Sequence, residues 1–444
     1  MTSTTSPSLL EAFVSAHPAT TAIRFVIVDY DNVHRCLLTS LSRARLMASD
    51  PAMEPISTVD SIQYATWSTG HREPSLWNGL GDVWLPSWKT LKPTVRAEVG
   101  TVMCSVRTNK VNGDVSFETD PREVLERLLV RGRDSGYEFK VAHEVEFHLL
   151  PSLQARDRLD VPGGAGRGGM FSLAAVRHPS FDVVLEVVAF LEKAGVFVWN
   201  FHHEVDRAEY EIALAPKDPL TAVDDLVFTC EVIRSIAQTH GYHATFHPRA
   251  LSDKATLGMH HHISINNEDP NVTESFLAGM LDHLRSMTAI LLGGYDSYDD
   301  ARKFYMGDRH VSWSRAKVSP IRRIGLSRYE IRVPDSLGNP YLQSTVLIGA
   351  GLEGVIRKSP LTSLENPLTF VQEMDEGWRK KLNVTEVLPS SLAEAVDAMR
   401  GDQVLKEVMG EKSFDAYLWH RERAVKNAEG TTKDERTNSI LWAI

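Results

Sequence analysis

The sequence predicts an α+β protein in two parts: a small β-rich domain over residues 1–112, then a larger domain over 113–444 in which strands alternate with helices. Period-two apolar runs begin early, at Ile23. Helices with an Asp-Pro or Ser start and a glycine stop begin only at Asp120. Between the two patterns lies the polar, turn-rich stretch RTNKVNGDVSFETD, which reads as a boundary.

From the N-terminus, AIRFVIVDYDNVHRCLLTS reads as two strands, Ile23 to Val28 and Val33 to Leu38, joined through an Asp-Asn turn. GDVWLPSWKTLKP and RAEVGTVMCSV add short strands. Four tryptophans from Trp67 to Trp88 occupy a Gly/Pro-rich aperiodic stretch, where such rings serve packing or subunit contact more often than ligand binding. Asp120-Pro121 supplies an N-cap and a first-turn proline for a helix ending near Gly136. Asp218-Pro219 opens another, closed by Gly241, and Ser180 can cap Phe181 to Ala194. Ser391 and Glu394 form a capping box for a helix ending at Gly401. Gly164, Gly166 and Gly169 fall in G-x-G-x-x-G register. No strand leads into them and no helix follows at once, so they read as a surface loop rather than a dinucleotide site.

With 444 residues, 43% of them hydrophobic and 24% charged, the chain can bury a large core, and disorder is not expected. A net charge of −10 without any Lys/Arg run argues against a nucleic-acid partner. Cys36, Cys104 and Cys230 lie too far apart for a disulfide framework or a zinc cluster, which fits a reducing compartment. No basic residue precedes Arg24, and nowhere are there 18 consecutive apolar residues. A cytoplasmic protein without a leader, a membrane span or a membrane partner is expected.

The chemistry concentrates in four strand-like segments. In VAHEVEFHLL, Val141, Val145, Phe147 and Leu149 alternate with Glu144, Glu146 and His148, so the two carboxylates point the same way. Such a face is either open to water or holds something cationic between the charges. HHEVDRAEYEIAL reaches Glu204, then sets Glu209 and Glu211 opposite Tyr210, Ile212 and Leu214. GMHHHISIN sets His260, His262 and Ser264 opposite Met259, His261, Ile263 and Ile265. RYEIRVPD sets Arg328, Glu330 and Arg332 opposite Tyr329, Ile331 and Val333. Outward-facing amphipathic strands would need no explanation, but solvated faces mix in Lys, Thr, Ser and Gln, whereas these carry mainly Glu, His and Arg. Turned inward, so many carboxylates are untenable without divalent metal. A carboxylate-rich set with one imidazole suits Mg²⁺ or Mn²⁺ better than zinc, and arginines beside it suit phosphate chemistry.

On these segments, together with ATFHPRAL and RYEIRVPDSLGNPYLQSTVLIGAGLEGV, the chain resembles the glutamine synthetase family over nearly its whole length. The resemblance implies a β-grasp-like N-terminal domain and a catalytic domain of the glutamine synthetase/guanido kinase type with a curved antiparallel sheet. It implies that Glu146, Glu204 and Glu211 hold one ion, Mg²⁺ or Mn²⁺, and that Glu144, His260 and Glu330 hold another. It also implies ATP, with His262 on the transferring phosphate, Ser264 near the base, and Arg322 and Arg332 on the phosphoryl group. The implied reaction joins a small-molecule carboxylate to an amine through an acyl phosphate, in a homo-oligomer of ten to twelve subunits in stacked rings. His202, His203, His243, His247 and His261 lie outside the matched positions and are expected to be structural.

Departures from the family pattern gather at acceptor recognition. The usual Asn-Gly-Ser before the Gly-Met-His motif reads Ala255, Thr256 and Leu257, and Asn-Ser-Tyr-Lys-Arg aligns with Asp296, Ser297, Tyr298, Asp299 and Asp300. Gly-Gln reads Ala208-Glu209, and an arginine that accompanies Arg322 reads Lys317, which gives up bidentate contact with the nucleotide phosphates. An acidic segment in place of an anion clamp repels an α-carboxylate. The expectation is therefore an ATP-dependent ligase of γ-glutamyl type with a non-standard acid or amine, an amine or polyamine being attracted by Glu209, Asp299 and Asp300. The alternative is a catalytically inactive homologue with a structural or regulatory role, which would have no physical reason to keep the whole metal set.

Overall fold

The computed structural model describes residues 5–50, 53, 56–57, 82–109, 115–151, 169–204, 208–250, 257–298, 308–367 and 369–441. The expectations for Trp67, Trp77, Gly164, Gly166, Ala255, Thr256, Asp299 and Asp300 fall outside these residues.

The N-terminal sheet comprises β1 (Ala22–Val28), β2 (His34–Ser40), β3 (Ile56–Ser57), β4 (Asp82–Pro86), β5 (Lys92–Pro93), β6 (Val99–Asn109) and β7 (Val115–Ser116). Its order is β2-β1-β6-β4-β3, with β5 and β7 paired to β6. β1 runs parallel to β6 and antiparallel to β2. The turn between β1 and β2 puts Asn32 at φ 60°, a left-handed conformation that asparagine tolerates better than most residues. Helices α1 (Ser6–Ala16) and α2 (Leu41–Ser49) bury Leu10, Ala44 and Met47 against Phe25, Trp84, Trp88 and Val102. Trp84 and Trp88 thus serve packing.

The second sheet comprises β8 (Phe139–Leu150), β9 (Val198–His203), β10 (Glu209–Leu214), β11 (His243–Thr245), β12 (His261–Ile265), β13 (Trp313–Ser314), β14 (Ile321–Arg323) and β15 (Arg328–Ile331). Its order is β13-β14-β15-β12-β8-β10-β9, with β11 on β8, and every pair but β13/β14 is antiparallel. This is the curved antiparallel sheet of an α+β fold. β8 lies near its centre and is covered on both faces, so its alternation separates two interiors rather than core from water.

The helices of this part are α3 (Pro121–Asp134), α4 (Leu173–Val176), α5 (Phe181–Lys193), α6 (Pro219–Thr239), α7 (Pro270–Leu291) and α8 (Pro340–Arg357). They continue with α9 (Glu376–Leu382), α10 (Leu392–Arg400), α11 (Gln403–Met409), α12 (Glu411–Ala428) and α13 (Lys433–Leu441). α7 and α8 cross closely: a Cβ at Gly279 would lie 2.2 Å from the Ala350 carbonyl oxygen, so the crossing requires glycine there.

Local chemistry sets most starts. Asp120 accepts from the Glu123 amide and Asp218 from the Thr221 amide, each followed by proline. Ser391 accepts from the Glu394 amide, but the Glu394 carboxylate answers the Ser390 amide, one residue before the cap. Ser180 makes no cap bond. Its hydroxyl is taken by Tyr210, thirty residues on, at 2.5 Å and by the neighbouring His178 at 2.7 Å, which outcompete the helix end.

One side chain ties the two sheets together. Asn339 caps α8 by accepting from the Tyr341 and Leu342 amides, and its Nδ2 donates to the Asp29 carbonyl oxygen at 2.8 Å. Val26, Val28 and Met103 from β1 and β6 share one core with Leu125, Met280 and Tyr341.

Candidate metal centre

Strand register brings the four ionisable faces together. Across the β8/β10 pair Glu146 faces Glu211, and across β9/β10 His202 faces Glu211. Like charges directly opposite one another destabilise a ladder unless something offsets them. On the other side β12 aligns His262 with Glu330, and the Glu144 amide donates to the His260 carbonyl oxygen at 3.1 Å. Glu330 is fully buried, and Glu146, Glu211, His260, His262 and Arg332 are nearly so, which removes the solvated-face reading of these strands.

Two corners result. In the first, Glu144, His260 and Glu330 place ligand atoms within 4.8 Å of one another. His260 Nδ1 stands 2.9 Å from Glu144 Oε2, 3.6 Å from Glu330 Oε1 and 3.8 Å from Glu146 Oε1. His262 Nε2 is 2.9 Å from Glu144 Oε1, and Arg328 Nη2 lies 3.4 Å from His262 Nδ1. An arginine can only donate, so this contact leaves the His262 proton on Nε2, facing Glu144. Arg322 Nε is paired with Glu330 Oε2 at 2.5 Å, and Arg332 Nη1 donates to Glu330 Oε1 at 2.8 Å. Burial alone would raise both carboxyls. For Glu144 the bonds from His260 and His262 reverse it, and for Glu330 the charges of His260, Arg332 and Arg322 do, so both are held below the usual carboxylate range.

The second corner is His202, Glu204 and Glu211, again within 4.8 Å. His202 Nε2 lies 3.8 Å from Glu204 Oε1 and 3.7 Å from Glu211 Oε1. Burial, then the charges of Glu144, Glu146 and Glu204, push the Glu211 carboxyl up to about 10. Glu146 lies between the corners, with Oε2 accepting from the Gly258 amide at 2.5 Å. A Cβ at Gly258 would come 2.8 Å from His260 Nε2 and 3.3 Å from Glu146 Oε1, so any side chain there must displace the His260 ring.

His202 was expected to be structural, yet it takes the third position beside Glu204 and Glu211. The signal was its place two residues before Glu204, the spacing that Glu144 and Glu146 share. Ser264 sits further along β12, half-buried, in register with Arg328. Lys317 is exposed between β13 and β14, near enough for its charge to oppose the rise at Glu211. Glu209 is buried two residues before Glu211, on the same face of β10. Behind β8 and β12, His143 and His261 meet edge to face at 4.5 Å, and burial lowers both, His261 to about 4.

The departures have structural correlates. Ala208 keeps φ +54° where the family pattern has glycine, a strained conformation for a residue with a Cβ. Asp296 is held by Arg436 through Nε at 2.8 Å and Nη2 at 2.6 Å. Ser297 donates to Asp335 at 2.5 Å and Tyr298 to the Thr288 carbonyl oxygen at 2.8 Å, so this segment is anchored inward.

Residues 118–439 match the glutamine synthetase catalytic domain. Glutamine synthetase of Methanococcus maripaludis is 32% identical over 371 residues, 78% of this chain and 79% of that protein. Protein fluG of Emericella nidulans is 28% identical over 439 residues, 96% of this chain and 48% of that protein. Among solved structures, a complex of GmaS with ADP has a TM-score of 0.78, covering 97% of this chain and 99% of that one. At 21% identity, that likeness shows the fold alone. The chain belongs to the glutamine synthetase family.

Proposed function

We propose that the protein is an ATP-dependent, metal-assisted ligase that joins a small carboxylate to an amine through an acyl phosphate, with at least one partner other than glutamate or ammonium. The observation that carries this is the convergence, from five strand segments, of Glu144, Glu146, His202, Glu204, Glu211, His260 and Glu330 on one interior. There hard oxygen donors outnumber imidazoles and the charge around Glu211 is offset only weakly, from the exposed Lys317. Glu144, His260 and Glu330 would hold one Mg²⁺ or Mn²⁺, and Glu204 and Glu211 with Glu146 or His202 another. Bound there, such ions neutralise charge on a nucleotide triphosphate and on the acid that attacks it.

The chain's own residues supply the rest. Arg322 and Arg332, anchored on Glu330, present guanidinium groups to the transferring phosphoryl. His262, with its proton on Nε2, is positioned to donate to a phosphate oxygen in exchange for Glu144. Ser264 and Lys317 are proposed to contact the nucleotide. Glu209, buried on the same face of β10 as Glu211, gives the acceptor side an acidic character that favours an amine over a second anion. A solved structure of this fold is an ADP complex, which supports a nucleotide at this site.

Assembly belongs to the same reading. β9 ends the sheet order, and exposed Trp199 and Phe197 meet edge to face at 6.3 Å, an apolar pair suited to contact with another copy of the chain. No helix among the described residues is long and apolar enough to cross a membrane.

The test is ADP release in Mg²⁺ or Mn²⁺ with panels of carboxylates and amines, followed by mass identification of the amide. A product other than glutamine is expected. Nucleotide binding without turnover on any pair would favour the inactive homologue.

A further inference from the structure

A second concavity, lined by none of the cluster's residues, lies where three parts of the chain meet. The β1–β2 turn contributes Asp31, the loop after α7 contributes Gly293 to Asp296, and α12 and α13 supply most of the remaining wall. Its volume is about 210 Å³, room for about seven waters at about 30 Å³ each, or a ligand of roughly ten heavy atoms. Leu337, Ala424, Ala428 and Ile440 give it a largely apolar lining.

The polar groups are unequally engaged. Asp31 Oδ1 is held by His420 Nε2 at 2.8 Å, Asp296 by Arg436, and Glu435 by the Thr432 amide at 2.8 Å. Arg421 differs. It is 1% exposed, and it spends one donor on the Gly293 carbonyl oxygen at 2.6 Å. Its Nη1 stands 3.7 Å from Asp31, beyond hydrogen-bond reach, and its Nε is buried with no acceptor. A guanidinium so enclosed and so short of acceptors favours an anionic head group that can take its parallel donors. Carboxylates already at the rim disfavour anions of higher charge.

We propose that this cleft binds a small monocarboxylate with an apolar body, its head on Arg421, and that occupancy is transmitted to the metal cluster through Asp335. Asp335 is fully buried and accepts from the Gly293 amide at 3.1 Å, the Ser297 hydroxyl at 2.5 Å and the Leu337 amide at 3.1 Å. A ligand touching both Gly293 and Leu337 therefore bears on the segment that leaves β15 directly after Glu330 and Arg332. Binding is independent of the ligase reading; the effect on turnover rests on it.

The test uses the full chain, with hexanoate and benzoate as probes and hexanol and citrate as controls, read by calorimetry. Saturable binding of the monocarboxylates with a midpoint on the order of 1 mM is expected, with neither control binding. Arg421→Met should weaken it about tenfold or more. Because that buried arginine also supports the fold, Ala424→Trp, which fills the cleft from the α12 wall, serves as the second variant and should abolish binding. Glu330→Gln should leave binding intact, which separates the cleft from the cluster. Binding lost in Glu330→Gln but kept in Ala424→Trp, or no binding of either monocarboxylate, would overturn the proposal and leave the ADP-release result standing. Hexanoate should also change the ADP-release rate at least about twofold in the natural protein and not in Ala424→Trp. An unchanged rate with binding present would overturn the coupling.

Discussion

The two corners of the cluster use the same residue types and reach opposite electrostatic states. Around Glu330, two arginines and an imidazole compensate the charge, and both Glu330 and Glu144 are held ionised. Around Glu211, carboxylates face one another across a strand pair, Lys317 opposes them only from an exposed position, and the group is driven to hold its proton. A buried carboxylate is thus defined by its neighbours rather than by burial, since Glu330 and Glu211 are both buried. The charge of the first corner is balanced by neighbouring protein groups, whereas that of the second is not.

The largest effect expected on this contrast is at Glu330. Glu330→Ala leaves Arg322, Arg332 and His260 without their common acceptor, and should lower turnover about a thousandfold or more and stability by about 3 kcal/mol. ADP release and urea unfolding measure both, and a variant close to the natural protein in either would erase the distinction between the corners.

The second change runs the other way. The Glu211 carboxyl is raised from 4.5 to about 10, so its favourable contribution to folding is complete below 4.5 and declines as pH climbs toward 10. Glutamine does not titrate. In chelator-treated protein near pH 8, Glu211→Gln should therefore raise stability by about 2–4 kcal/mol and flatten its fall with pH, while turnover is lost. A destabilised variant would mean that the second corner is not under charge stress.

Smaller effects sharpen the picture. Gly258→Ala pushes a methyl toward His260 and should weaken Mn²⁺ binding about 10–100-fold with the circular dichroism unchanged. His202→Asn should weaken one of two calorimetric Mn²⁺ steps by about tenfold and leave the other alone. Equal loss in both steps would merge the corners into one site.

Period-two alternation made the ligand-bearing strands legible, because every second side chain on a pleated strand shares a face whatever the fold. The same logic found Asp120 and Asp218, whose caps need only their own next few residues. What escaped depends on pairing between distant segments. His202 joins Glu211 through the β9/β10 register, which no local pattern encodes, and Ser180 is drawn from its helix by Tyr210, thirty residues on. Glu146 Oε2 settles on the Gly258 amide for the same reason. The segment at Asp296 was read as an acidic face toward the acceptor, but at Asp296 itself Arg436, contributed by α13, occupies that charge.

The amide of Asn339 begins α8 with its oxygen and grips the end of β1 with its nitrogen. Swinging the N-terminal part away would therefore unravel the start of a buried helix as well as open a contact, so the two sheets should melt in a single cooperative transition. A protein built this way does not open by hinging there.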